Sequence, residues 1–265
     1  MRTLGQLIYN TLSKKEAVEA YQQVIRDKEW SAIESYISNN SVFLDVGCGA
    51  GYAMQQAREK LNCICKGIDP DPGAHGVGRF LKELVPGETI IQGQAENLPF
   101  KDEQFDVVFS SHVLEHVENE RVTLEEMKRV LKNDGVLIIG IPTASMAWIN
   151  LFSQVFFTTH IKVYEFFRFL HQSGRTKRFT TIFRVISHSQ PRATSIWYDI
   201  THYRVKNWKK TVSKEFEIIT TLEPFLYPYP DYPQWFKPHV SKLGSSSVFF
   251  VCKKVHYLNP NAANT

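Results

Sequence analysis

No apolar run in this chain reaches the ~18–20 residues that a membrane-spanning helix requires, so no span is expected among its 265 residues. The opening stretch, MRTLGQLIYNTLSKKEA, lacks a long apolar core and a small-residue cleavage site. A secretory leader is therefore not expected, and a cytoplasmic location is. Cysteine is scarce, with four residues: Cys48, Cys63, Cys65 and Cys252. None forms a Cys-x-x-Cys pair. Cys63 and Cys65 stand two apart in an apolar run, which puts them on one face of a strand as buried thiols rather than as a disulfide or metal site. That usage suits a reducing compartment. Internal repeats are absent, and a large charge excess of either sign is absent too, the net being +4.

What is present is core material. Hydrophobic residues make up 43% of the chain, enough for a folded interior and too much for a disordered polymer. Lys15 to Ile37 has helical spacing through Ala17, Tyr21, Val24, Ile25, Ala32 and Ile33. Beyond it, strand-like and helix-like segments alternate. Strands are predicted at Ser41–Val46, Cys63–Ile68, Thr89–Gln92, Phe105–Ser110 and Val136–Ile141. Helices are predicted at Tyr52–Lys60, His75–Leu84 and Arg121–Leu131. A short helix over Asn207–Ser213 and two strands, Phe216–Thr221 and Ser246–Cys252, complete the series. This alternation implies an α/β fold with a doubly wound, mostly parallel sheet. Ligands of such sheets bind beyond the carboxyl ends of the strands, where strand order reverses.

The residues after the strands carry the functional signal. Asp45-x-Gly47-x-Gly49-x-Gly51 follows the first strand and precedes a helix. Its glycines permit a tight turn and close approach to a ligand, and the helix N-terminus offers free N–H groups. Asp69 ends the second strand, where an acid can accept from two ribose hydroxyls. QGQAENLPF (Gln92–Phe100) follows the third strand, and FDVVFSSHVLEHV (Phe105–Val117) contains the fourth.

Taken in order, LDVGCGAG, GIDP, AENLPF, FDVVFSSHVLEHV and RVLKNDGVLIIGIPT resemble the class I S-adenosylmethionine-dependent methyltransferases. The likeness is to the group holding ubiquinone-biosynthesis and small-molecule O-methyltransferases, and it runs from Val42 to Thr143. It implies a Rossmann-like, seven-stranded sheet with an insertion between strands five and six, and S-adenosyl-L-methionine as cofactor. It also implies roles. Asp45 and the loop Gly47, Cys48, Gly49 and Gly51 would hold the methionine part. Asp69, followed by Pro70, would take the ribose hydroxyls. The Ala95 N–H would meet the adenine edge, beside Gln94, where the family often has Asp. Ser111 and His112 would face the sulfonium. The domain boundaries that follow are an N-terminal helical segment 1–40, a cofactor core 41–143, an acceptor-binding insertion 144–210, final strands 211–254 and a tail 255–265.

A hydroxyl acceptor must lose a proton, and His202, His112 and His116 are the candidate bases, with Glu115 beside them. His202 lies in Asp199-Ile-Thr-His202, and a similar segment occurs in several sugar and natural-product methyltransferases. His112-x-x-Glu115-His116 departs from the Glu-x-x-Glu-His of metal-binding relatives, so no metal is expected.

The stretch from Ala144 to Lys210 holds fourteen aromatic residues and a net charge of +9, leaving the rest of the chain at −5. Such a stretch suits an anionic, partly apolar acceptor such as a lipid-linked glycan, peripheral contact with an anionic membrane, or a homodimer face. Nucleic acid is a weaker partner on the small overall charge. The leading expectation is O-methylation of a small-molecule, sugar or lipid-linked acceptor. The alternatives are a catalytically silent binding module, an RNA methyltransferase, and a nucleotide-cofactor oxidoreductase, whose usual Gly-x-Gly-x-x-Gly spacing differs from the loop seen here.

Overall fold

The computed structural model describes residues 15–74, 88–152, 195–227 and 238–255, with side chains described from residue 19 onward. The predicted helix at His75–Leu84, most of the aromatic-rich sequence Met146–Leu170, the basic sequence Gly174–Arg178, the later part of a Pro- and Tyr-rich stretch at Pro224–Pro233 and the tail after Val255 fall outside the described residues.

The first described helix, α1, spans Lys15–Ile33. It closes in a 3-10 turn at Glu34–Tyr36, four residues short of the helix end expected at Ile37. Strand β1 (Val42–Val46) leads into α2 (Tyr52–Leu61), then β2 (Ile64–Asp69), β3 (Thr89–Gln92) and β4 (Phe105–Ser111). Helix α3 (Glu120–Val130) passes directly into β5 (Leu131–Pro142). This strand starts earlier than predicted. Leu131 already pairs with Phe105, and Lys132–Gly135 then bulge before Val136 takes up register with Val107. Helix α4 starts at residue 144 and is described to residue 152. Helices α5 (Ile196–His202) and α6 (Val205–Val212) precede β6 (Phe216–Leu222) and β7 (Ser247–Lys254).

The seven strands form one sheet in the order β3-β2-β1-β4-β5-β7-β6. β1 pairs in parallel with β2 and with β4, and β2 with β3 and β4 with β5 are likewise parallel. β6 and β7 pair antiparallel. The order turns between β1 and β4, so the ligand crevice of such a sheet lies at their carboxyl ends. Register brings Asp45 beside Gly67, Asp69 beside Gln92, and Val46 beside Ser110, so the ends of four strands are level. The central strands are buried on both faces through Phe43, Leu44, Val107, Val108, Leu137 and Ile138.

Capping fixes where the helices begin and end. The Asn119 side chain accepts from the backbone N–H of Arg121 and of Val122 at the start of α3, and Glu120 adds negative charge there. Helix α2 has no side-chain cap. It starts from Gly51 in the left-handed conformation and stops at Asn62, also left-handed.

The chain divides into two compact units. One, the cofactor unit, takes its described residues from Ile33–Ile141, Lys206–Leu222 and Phe249–Thr265. The other takes them from Met1–Ala32, Pro142–Val205 and Glu223–Val248. In this second unit Tyr21, Ile25 and Tyr227 form one apolar cluster, and Ala147, Ile196 and Ile200 form another. All four cysteines are free and buried, which for Cys63 and Cys65 is what their spacing implied. Among the described residues no helix is long and apolar enough to cross a membrane.

Candidate functional site

The glycine loop is held against β2 by its own backbone. The N–H groups of Gly47 and Cys48 both donate to the Ile68 carbonyl, at 2.7 and 3.2 Å. Gly47, Gly49 and Gly51 all have positive φ, at 78°, 51° and 86°. L-residues with a Cβ pay in energy for that conformation. Gly47 is further constrained, since an added Cβ would lie 2.1 Å from Cγ2 of Val113. The loop after β4 therefore packs directly on the glycine loop.

Asp69 ties these parts together. Its Oδ2 accepts from the Gly49 N–H and its Oδ1 from the Asp71 N–H, each at 2.8 Å. A carboxylate offers about four acceptor positions, so two remain for a ligand's hydroxyls. Asp69 is buried at the end of β2, with 8% of its surface exposed. Asp45 is buried at the end of β1. Burial pushes the Cys48 thiol far above its ordinary value, and the charges of Asp45 and then Asp69 push it further. Cys48 is therefore a neutral packing group.

The loop after β3 is anchored at both ends. Gln92 Nε2 donates to the Pro70 carbonyl at 2.9 Å, and the Gly93 N–H donates to the Asp69 carbonyl at 3.0 Å. Pro70 and Gln94 are exposed, and Ala95 is buried. Leu98 donates its N–H to Glu126 Oε2, while Arg129 reaches the carbonyls of Leu98 and Phe100 and the carboxylates of Glu126 and Asp102. Glu96 Oε1 accepts from the Glu118 N–H, which joins this loop to the one after β4. The clamp was not recognised in the sequence. Its signal was the Glu126/Arg129 spacing of three on a helix.

At the end of β4, the Oγ atoms of Ser110 and Ser111 are buried without a hydrogen-bond partner. An orphaned hydroxyl at a strand end fits a ligand contact, and Ser111 is the residue expected to face the cofactor. His112 follows at φ 58°, a conformation in which His is enriched among non-glycine residues. Its N–H donates to the Gly140 carbonyl at 2.9 Å. Its Nδ1 is 3.4 Å from Glu115 Oε1, and Nε2 of the exposed His116 is 3.9 Å from the same oxygen. Glu115 is almost wholly buried. Among the described residues no group of three or more His, Cys, Asp or Glu side chains is arranged to hold a metal ion.

His202 belongs to the second unit, as the last residue of α5. The Ser195 side chain caps this helix through the Trp197 N–H. The His202 ring stacks on Tyr198 with centroids 3.8 Å apart, and Nδ1 is 3.0 Å from both the Tyr198 carbonyl and Thr201 Oγ1. Asp199 of the same segment is fully buried. Elsewhere in this unit, Glu29 Oε1 accepts from Tyr227 Oη at 2.5 Å and from Ser247 Oγ at 2.7 Å, and Arg26 pairs with Oε2. Ser246 bonds to both backbone groups of Tyr227.

Asp45, Gly47, Cys48, Gly49, Gly51, Asp69, Pro70, Gln94, Ala95, Ser111, His112 and His116 thus all lie on loops or strand ends of the cofactor unit. Residues 44–139 match the family described as "Methyltransferase domain". An uncharacterised protein of Methanocaldococcus jannaschii is 51% identical over 121 residues, 45% of this chain and 53% of that protein. The ubiquinone/menaquinone biosynthesis C-methyltransferase UbiE of Campylobacter jejuni is 30% identical over 112 residues, 39% of this chain and 46% of that protein. The chain therefore spans about half the length of these curated relatives. In fold it is similar to a Thermotoga maritima S-adenosylmethionine-dependent methyltransferase, a possible histamine N-methyltransferase, with a TM-score of 0.53 at 17% identity, covering 95% of this chain and 100% of that one.

Proposed function

We propose, from the premise that residues 44–139 form a class I S-adenosylmethionine-dependent methyltransferase core, that the protein transfers a methyl group to a hydroxyl of a small-molecule, sugar or lipid-linked acceptor. The observation that carries the cofactor part is Asp69. It fixes the glycine loop through the Gly49 N–H and keeps acceptor positions for a ribose. The left-handed glycines, the buried carboxylates and the orphaned Ser111 hydroxyl fit the same ligand, which carries positive charge. When bound, S-adenosylmethionine supplies a methyl group activated on a sulfonium.

What the chain supplies is alignment, exclusion of water and a place for a proton. His112, at the end of β4 beside the cofactor loop, is the base favoured by position, and its pairing with Glu115 supports a hydroxyl acceptor. His202 is the second candidate, with Nδ1 held by its own helix. On the acceptor side, Trp148, Phe152 and Trp197 of the second unit are 41%, 65% and 61% exposed and lie against one another. Together with the +9 charge of Ala144–Lys210 they support an anionic, partly apolar acceptor. The exposed aromatic residues, with the charge of this stretch of sequence, also support peripheral contact with an anionic membrane.

The C-methyltransferase among the relatives favours carbon as the second reading. A radiolabelled-methyl assay against sugars, phenols and lipid-linked glycans tests both. The expected result is transfer that Asp69→Ala abolishes and His112→Ala slows by about 10²–10⁴-fold. Label in a carbon–carbon bond would replace the hydroxyl reading. A rate indifferent to both His112→Ala and His202→Ala would remove the base.

A further inference from the structure

We propose that Glu115 is a positioning residue that sets the tautomer of His112, so that Nδ1 carries the hydrogen and Nε2 receives the acceptor's proton. This rests on the methyl-transfer reading above for its purpose, though not for its geometry.

Three observations converge. Glu115 is 1% exposed, and burying a carboxylate there costs several kcal/mol unless cationic or hydrogen-donating groups offset it. The described ion pairs of Glu115 are with two imidazoles, His112 Nδ1 at 3.4 Å and His116 Nε2 at 3.9 Å. The nearer contact is an ion-pair distance and not a formed hydrogen bond, and catalytic contacts of this kind tighten when substrate binds.

The His112 backbone is fixed as well. Its φ of 58° costs about 1 kcal/mol, and its N–H is bound to Gly140. Val113 next to it packs against Gly47 so closely that no Cβ fits. The ring therefore starts from a rigid point joined to the cofactor loop, and its remaining freedom is rotation. A buried carboxylate on the Nδ1 side removes that freedom and selects the Nδ1–H form. The proton leaving an acceptor hydroxyl then goes to Nε2, and the imidazolium that forms is balanced by the Glu115 charge. His116 meets the same oxygen from the exposed side and does not replace this contact.

The test uses the full-length protein, uniformly labelled with ¹⁵N. Long-range proton–nitrogen spectra report the tautomer of each ring, and His112→Asn identifies the His112 signals. The account expects the Nδ1–H form in the wild type and loss of that bias in Glu115→Leu. Glu115→Gln, whose amide oxygen still accepts, keeps the tautomer and lacks the charge. With an acceptor in hand, both variants transfer methyl about 10–100-fold more slowly, while S-adenosylhomocysteine affinity stays within about twofold. An Nε2–H form in the wild type, or an unchanged tautomer in Glu115→Leu, overturns the proposal. So does a large loss of S-adenosylhomocysteine affinity in Glu115→Gln, which makes Glu115 a support of the cofactor loop instead. Failure of the wild type to bind S-adenosylhomocysteine defeats the methyltransferase reading alone, since the tautomer measurement still judges the pair.

Discussion

Two buried polar groupings, one in each compact unit, differ in how their hydrogen-bonding capacity is used. In the second unit, Glu29, Tyr227, Ser246 and Ser247 satisfy one another, and the network joins α1 to the start of β7. In the cofactor unit, Asp69 keeps spare acceptor capacity, the hydroxyls of Ser110 and Ser111 have no hydrogen-bond partner, and glycines take the left-handed turns after β1. Saturated networks stabilise a scaffold, whereas capacity left over at a strand end awaits a ligand. The second unit thus holds a scaffold network, and the cofactor unit strand ends that suit a ligand.

The sharpest way to break this comparison is at Gly47. Gly47→Ala combines left-handed strain with a clash against Val113. It should cost about 3 kcal/mol in denaturant unfolding and abolish S-adenosylhomocysteine binding. Glu29→Ala tests the other side. It removes the carboxylate that accepts from both Tyr227 and Ser247, leaving their bond to each other, and should cost about 1–3 kcal/mol, with S-adenosylhomocysteine affinity of the folded protein unchanged in calorimetry. A loss of binding there would mean that the saturated network also shapes the cofactor site. Asn119→Ala removes the α3 cap and should cost about 1 kcal/mol in the same unfolding experiment, again without effect on binding.

The smallest effect concerns pH. The Arg129 guanidinium holds the Glu126 carboxyl below its ordinary value, with the Leu98 N–H helping and burial opposing. The folded state therefore binds fewer protons than the unfolded chain as Glu126 titrates. Its stabilisation is complete above about pH 5 and is lost as pH falls through the lowered value. Arg129→Met should flatten that acid limb of stability by up to about 1 kcal/mol, measured by urea unfolding between pH 3 and 6.

The cofactor unit was legible because its function constrains residue type at fixed places. A strand that must break into alternating glycines, and an acid that must end the next strand, leave marks in one sequence. β5 was misjudged at its start because the bulge at Lys132–Gly135 interrupts the apolar pattern while Leu131 still pairs with Phe105. Helix α5 was missed although Ser195 stands at its cap, because the aromatic residues around it show no clear period. The Glu115–His112 contact was not readable either. Their spacing of three is ordinary on a helix, yet His112 sits in a left-handed turn, and only the fold shows that the carboxylate is buried beside the ring. In the second unit Glu29 meets Tyr227 and Ser247 from about 200 residues away in sequence, so their contacts leave no local pattern, whereas the candidate cofactor residues fall within one continuous stretch, Ile33–Ile141.

Titration of the wild type and Asp69→Ala with S-adenosylhomocysteine by calorimetry tests the central claim most directly. The account predicts micromolar binding by the wild type and a loss of about 100-fold or more in the variant, because the ribose acceptor and the anchor of the glycine loop go together. No binding by the wild type, or equal binding by both, would contradict it.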